Sequence, residues 1–201
     1  MPDMPQTKCR LPGKFIFVTG AGQSSMDTGE DHFETAAYDI ALMDAGIENF
    51  NVMVYTSVLP QQAQRISMHD AQEEGLIEHG AVLETIKAEL DGEKGETLVT
   101  GVGTIGVWKN DAGPGGDDLY IGGFAAEYEG DTDTETATDI LKDDLNAIFH
   151  RRYGGDPTTR TGNGYYYEWA DFETRMLEVT EDYGVCFTAI CFLTYTFPVI
   201  D

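Results

Sequence analysis

Apolar positions along the chain fall mostly into short strand-like runs, interrupted by two longer stretches with helical spacing. KFIFVTG (14–20) predicts a buried strand ending in a glycine turn. Phe33, Ala36, Ala37, Ile40, Ala41 and Met43 then form one stripe, and Asp31-His-Phe-Glu34 has the form of a capping box. A helix is predicted over 32–45, stopped by Gly46. FNVMVYTSVLP (50–60) is a β-prone run closed by Pro60, and HGAVLETIKAEL (79–90) predicts a strand running into a helix. ETLVTGVGTIGVW (96–108) predicts one or two strands, KNDAGPGGDD (109–118) a turn cluster, and LYIGGFAAEYEG (119–130) a strand with a tight glycine pair. An acidic amphipathic helix from Thr134 to Phe149, a loop over 150–164 and two strands around 165–173 and 184–197 complete the pattern. Residues 1–13, with three prolines, read as a loose arm. Neither a repeat nor a linker divides the 201 residues, so one domain is expected.

Composition adds to this. Hydrophobic residues make up 41% of the chain, enough for a packed core, and 23 glycines favour a sheet-rich architecture with tight turns and close backbone approaches. The charge is strongly acidic: 36 Asp+Glu against 12 Lys+Arg, a formal net of −24. Nucleic acid and anionic lipid are therefore excluded as partners, since both need basic patches. A cationic ligand would be attracted. Adaptation to high salt explains the same charge, and the two readings are compatible. Cys9, Cys186 and Cys191 show no metal-ligand spacing; the last two lie in an apolar run and read as buried free thiols. The N-terminus has no signal-peptide core and no run approaches a membrane span, so a soluble, cytoplasmic protein is expected.

Two motifs invite chemistry. Gly101-Val-Gly103-Thr-Ile-Gly106 fits a dinucleotide fingerprint, but the helix that must follow is replaced by VWKNDAGPGG. Close strand packing or a bulge is the better reading, and Thr19-Gly-Ala-Gly22 has the same weakness as a nucleotide turn. Thr56-Ser57 sits in NFNVMVYTSVLP without the nucleophile elbow of a hydrolase, and the histidines number only four. Taken bare, the two hydroxyls are ordinary strand-formers.

The run IENFNVMVYTSVLP (47–60) resembles the self-cleavage segment of pyruvoyl-dependent arginine decarboxylases, which carry an Asn-x-Asn followed by Ser/Thr-Ser-Ile/Val-Leu/Met-Pro. AAYDIALMDAGIENFN (36–51), HGAVLETI (79–86), TGVGTIG (100–106) and GGFAAEYEG (122–130) are similar in the same order. The tail FTAICFL (187–193) resembles the closing strand of the longer, bacterial-type members. Together these cover most of residues 14–195. The departures are acidic insertions around 109–118 and 129–145, and the N-terminal arm.

The resemblance implies an α/β (α+β) sandwich of β-sheets flanked by helices, made as a proenzyme that cuts itself between Thr56 and Ser57. Ser57 would attack the preceding carbonyl and turn the amide into an ester. Loss of its α-proton would release Thr56 as a new C-terminus and leave dehydroalanine. Hydrolysis with loss of ammonia would then give a pyruvoyl group at a new N-terminus. That ketone is the cofactor; no external cofactor and no metal are implied. The fragments 1–56 and 57–201 would stay together, three such units forming a trimer with sites between neighbours. The substrate implied is L-arginine, giving agmatine and CO₂. By the same resemblance Glu127 donates a proton, Asn51 orients a reacting group, and Asp39 binds the substrate guanidinium. Two bottom-up considerations bear on these assignments. Asn51 lies six residues before Ser57, which on one strand would be the same face. Asp39 falls near the apolar stripe of its helix, where an acid wants a cationic partner. Bland readings remain beside them: a strand-edge asparagine, a surface acid, and one more glutamate in a very acidic chain. A decarboxylase for histidine or lysine, or an uncut homologue without activity, also stays open.

Overall fold

Strand formers dominate the chain, and two sheets packed face to face absorb most of them. The computed structural model describes residues 9–25, 33–110, 118–154 and 164–198. In order, the elements are β1 (Leu11–Pro12), β2 (Lys14–Ser24), α1 (Phe33–Ala45), β3 (Asn51–Val54), β4 (Val58–Leu59), β5 (Gln64–Arg65), α2 (Met68–Glu73), β6 (Val82–Glu93), β7 (Thr97–Lys109), β8 (Leu119–Gly130), α3 (Thr134–Tyr153), β9 (Tyr165–Glu178), β10 (Tyr183–Phe192) and β11 (Tyr195–Thr196). One sheet has the order β3-β6-β10-β2-β5 and the other β4-β8-β7-β9, while β1 and β11 form a small ribbon. This is the α+β sandwich that the resemblance implies.

Side-chain alternation explains the layering. On β10, Val185, Phe187, Ala189 and Cys191 join a core with Ala37 and Ala41 of α1, while Ile190 and Phe192 face the second sheet with Val102 and Ala125. Thr188 bridges the sheets, its hydroxyl 3.0 Å from that of Thr100. On the far side α3 buries Ala137, Leu141, Leu145 and Phe149 at four-residue spacing against β7 and β8. Each fully buried large side chain there contributes roughly 1.5–3 kcal/mol. Asp133 caps α3, accepting from Thr136 N–H at 2.8 Å, and Gly154 closes it with φ of 65°.

Several expectations are corrected. β2 does not stop at Gly20 but runs on to Ser24. Gly20 and Gly22 mark the place where α1 lies directly on the strand: a Cβ on Gly22 would sit 2.6 Å from Ala41 N and closer still to the Ala37 carbonyl. The stripe of α1 narrows to Ala37 and Ala41, with Ile40 and Met43 exposed. Residues 82–93 are strand throughout, because both faces of β6 are covered and tertiary packing overrides the helix propensity of its Glu, Lys and Ala. Leu11 and Pro12 of the arm pair with β11. Gly101, Gly103 and Gly106 lie inside β7, and a Cβ on Gly103 would meet the Phe172 ring at 2.5 Å. The fingerprint is thus a packing device, as read. The capping box at Asp31 and most of the 109–118 turn cluster lie outside the described residues. Cys186 and Cys191 are buried and free, and burial pushes the Cys191 thiol up to about 12. No helix among the described residues is long and apolar enough to cross a membrane.

Candidate active site

The β-prone run 50–60 changes sheets partway. β3 pairs in parallel with β6, Val54 opposite Thr85, and Tyr55 N–H still donates to the Thr85 carbonyl at 2.6 Å. β4 belongs to the other sheet, antiparallel to β8 with Val58 opposite Phe124. Thr56 and Ser57 are therefore the bridge between the two layers. Thr56 is exposed and Ser57 half-buried.

Ser57 is held on both sides. Its carbonyl accepts from Ala125 N–H at 3.0 Å, and Val58 N–H turns back to the Thr56 carbonyl at 3.2 Å. The second bond closes a three-residue turn centred on Ser57. It also draws electron density from the carbonyl that the Ser57 hydroxyl would attack.

Glu127 lies on β8, two residues beyond Ala125 and so on the same face. Its register partner is Val102, and Ala125 and Val102 both belong to the core between the sheets. The half-buried Glu127 carboxyl therefore projects into the inter-sheet space near the bridge. Burial raises its pKa above the usual carboxylate range; the neighbouring Glu129 charge adds to this and a backbone hydrogen bond partly opposes it. A carboxyl shifted this way holds its proton to higher pH and can donate it.

Asn51 and Asp39 are placed differently. Asn51 and Ser57 do not share a strand: β3 has ended before the bridge, and Asn51 to Tyr55 alone spans roughly 13 Å at extended rise. Asn51 Nδ2 donates to the Gly80 carbonyl at 2.9 Å. Asp39 is exposed on α1, with no ion pair among the described residues. Since α1 covers the outer face of the five-stranded sheet, the helix and the bridge lie on opposite sides of that sheet. Within one chain, then, Thr56 and Ser57 sit at the bridge, Glu127 follows two residues beyond the Ala125 that bonds Ser57, and Asn51 and Asp39 lie apart from them.

Sequence reasoning missed a neighbouring cluster. Glu84 on β6 is 5% exposed. Arg10, from the arm read as loose, forms an ion pair with it and donates to the Tyr55 hydroxyl at 2.9 Å. The same guanidinium lies 4.8 Å from the centre of the Tyr195 ring. The available signal was an acid on the inward face of β6, in line with Ile86 and Ala88.

Comparison with known proteins gives first a class, that of the decarboxylases. The profile of the pyruvoyl-dependent arginine decarboxylase family matches residues 14–197, and the chain belongs to that family. Among its relatives, pyruvoyl-dependent arginine decarboxylase AaxB of Chlamydia muridarum (strain MoPn / Nigg) is 32% identical over 189 residues, 92% of this chain and 93% of that protein. AaxB of Chlamydia trachomatis serovar L2 is 31% identical over 191 residues, with the same coverage. Pyruvoyl-dependent arginine decarboxylase 1 of Methanosarcina acetivorans is 32% identical over 96 residues, 46% of this chain and 52% of that protein.

Proposed function

We propose that this chain cuts itself between Thr56 and Ser57 and then decarboxylates L-arginine to agmatine and CO₂. The observation that carries this is the turn at the inter-sheet bridge: Val58 N–H on the Thr56 carbonyl, Ser57 fixed by Ala125, and the desolvated Glu127 carboxyl on the same face of β8. In the cut, the Ser57 oxygen bonds to the Thr56 carbonyl carbon, and the peptide C–N bond breaks with the hydroxyl proton passing to nitrogen. Loss of the Ser57 α-proton then expels the Thr56 carboxylate, and water replaces the resulting nitrogen as ammonia. The pyruvoyl ketone left at residue 57 supplies an electrophile that takes up an amine and accepts the electron pair freed when CO₂ departs.

The surroundings fit such a group. A pyruvoyl group at residue 57 would keep the hydrogen bond from Ala125 N–H to that residue's backbone carbonyl, the amide carbonyl beside the ketone. Glu127, holding its proton, would return it to the carbon that lost CO₂. Asn51 and Asp39 would serve from a neighbouring copy, Asn51 orienting the carboxylate and Asp39 taking the guanidinium with two charge-assisted hydrogen bonds. The free edges support an assembly, a trimer on this reading. Met53 and Val54 of β3 and Val58 of β4 line the edge strands beside the bridge, each more than half exposed. An apolar edge of that kind favours burial against another chain.

Intact mass and CO₂ release test the proposal together. The parent should give two polypeptides, 1–56 and 57–201, and release CO₂ from arginine far faster than from lysine or histidine. Ser57→Ala should give one folded, uncut, inactive chain. Fragments from that variant would place the cut elsewhere.

A further inference from the structure

Self-cleavage asks for more than a hydroxyl beside a carbonyl, because both flanking backbone torsions must hold the attack geometry. The bridge is fixed downstream by Ala125 and by the pairing of β4 with β8. Upstream, the last fixed residue is Tyr55, so only Thr56 separates the two anchors. Tyr55 is held in three ways. Its N–H donates to the Thr85 carbonyl at 2.6 Å, its ring centre lies 6.2 Å from that of Phe192, and its hydroxyl accepts from Arg10 at 2.9 Å. Arg10 is itself held by Glu84, whose carboxylate is almost completely buried. The second carboxylate oxygen, Glu84 Oε2, has no hydrogen bond of normal geometry among the described residues. Burial first, and then the nearby Glu84 carboxylate as a hydrogen-bonding and charged neighbour, raise the Tyr55 hydroxyl above its ordinary range. It therefore stays a neutral partner for Arg10.

We infer that Arg10 and Glu84, acting through the Tyr55 hydroxyl, position the Thr56–Ser57 peptide for self-cleavage. This rests on the proposed cut at that bond. Releasing Tyr55 would free rotation at Thr56 and swing its carbonyl away from the Ser57 oxygen. Orientation lost in that way slows an intramolecular reaction without disturbing the core. Arg10 also neutralises Glu84, since a buried carboxylate without a counter-charge is strongly unfavourable. All three are positioning residues, because none of them touches the reacting atoms.

The test follows cleavage of freshly synthesised chain from cell-free translation, sampled over time by denaturing electrophoresis and intact mass. Tyr55→Phe keeps the ring and removes only the hydroxyl. It should lengthen the half-time of cleavage tenfold or more while the melting temperature stays within a few degrees of the parent. Arg10→Met should slow cleavage at least as much, and Arg10→Lys should recover part of the rate. The fraction that does cut, with its pyruvoyl groups titrated by a carbonyl reagent, should turn over arginine at the parental rate per group. A purely structural role would instead lower the melting temperature and cleavage of Tyr55→Phe in parallel, that substitution leaving the Arg10–Glu84 pair in place. That result, or parental cleavage in both Tyr55→Phe and Arg10→Met, overturns the inference. If the parent never breaks between Thr56 and Ser57, the underlying proposal fails and this one falls with it. If the parent cuts there and the variants keep pace, only the positioning role is lost.

Discussion

The contact between α1 and β2 can be tested by adding a single methyl group. At Gly22 a Cβ would lie 2.6 Å from Ala41 N, 2.9 Å from Ile40 Cβ, and closer still to the Ala37 carbonyl. Non-bonded heavy atoms sit comfortably at about 3.5–4.0 Å, so helix and strand must separate by about 1 Å. Helix backbone cannot rotate aside as a side-chain tip can. Overpacking of this kind costs typically about 1–3 kcal/mol. Replacing glycine returns roughly 0.4–1 kcal/mol through the unfolded chain. The net loss for Gly22→Ala is therefore about 1–2 kcal/mol, or a fall of roughly 2–8 °C at 2–4 °C per kcal/mol for a chain of this size. Differential scanning calorimetry at fixed salt reads it directly. Because α1 carries Asp39, the KM for arginine should rise as well. An unchanged or higher melting temperature would refute the close-packing argument, since it would mean that α1 lifts from β2 without cost.

Other outcomes follow from the same structure. Glu127→Gln should cut normally yet barely decarboxylate, as shown by CO₂ release per titrated pyruvoyl group. The variant also has a pH signature: the raised Glu127 pKa means that ionising it opposes folding, a cost absent below the ordinary glutamate value and growing as pH rises through the shifted one. Glu127→Gln should thus melt higher than the parent near neutral pH, with the gap closing in acid; a gap constant with pH would contradict the burial of that carboxyl. Asp39→Asn should raise the KM for arginine about ten- to a hundredfold, the equivalent of roughly 1.5–3 kcal/mol for a charge-assisted pair, and lower saturated turnover less; an unchanged KM in steady-state kinetics would leave Asp39 a surface acid. With a formal net charge of −24, stability should climb between 0.1 and 2 M KCl as self-repulsion is screened, and a flat or falling melting temperature would remove the high-salt reading.

Much of the fold was legible because β2, β7, β8 and β10 are short β-prone runs, buried almost continuously in β7 and β10, and because α3 repeats its buried positions every four residues. The failures share a cause: they lie where tertiary contact sets the outcome. In β6, Glu84 and Lys87 look helical in sequence, yet Glu84 meets Arg10, and Lys87 is half-buried beside Glu89 and Tyr38. Gly20 and Gly22 look like a turn because composition cannot tell a bend from a close approach. For the candidate site, likeness to a family singled out Thr56, Ser57 and Glu127, while alternation alone gave Ser57 the wrong strand and so the wrong relation to Asn51. Nothing in a period-2 pattern announces that a strand has crossed to another sheet. Arg10 could not be found at all, since its importance comes from a partner far along the chain.

The strand order of the five-stranded sheet has a consequence for maturation. β2 runs between β10 and β5, paired with β10 from Phe15–Phe192 to Ser24–Tyr183, while β3 lies on the opposite edge against β6. A break after Thr56 would leave β2, α1 and β3 on one polypeptide and every strand that flanks them on the other. The pieces would be interlaced, so neither could leave without dismantling the five-stranded sheet; the later fragment keeps the whole four-stranded sheet but only β5, β6 and β10 of the other. The scissile bond would also acquire its geometry only once both layers had closed around it. On this arrangement, maturation would double as quality control: a misfolded copy would stay in one piece and stay silent.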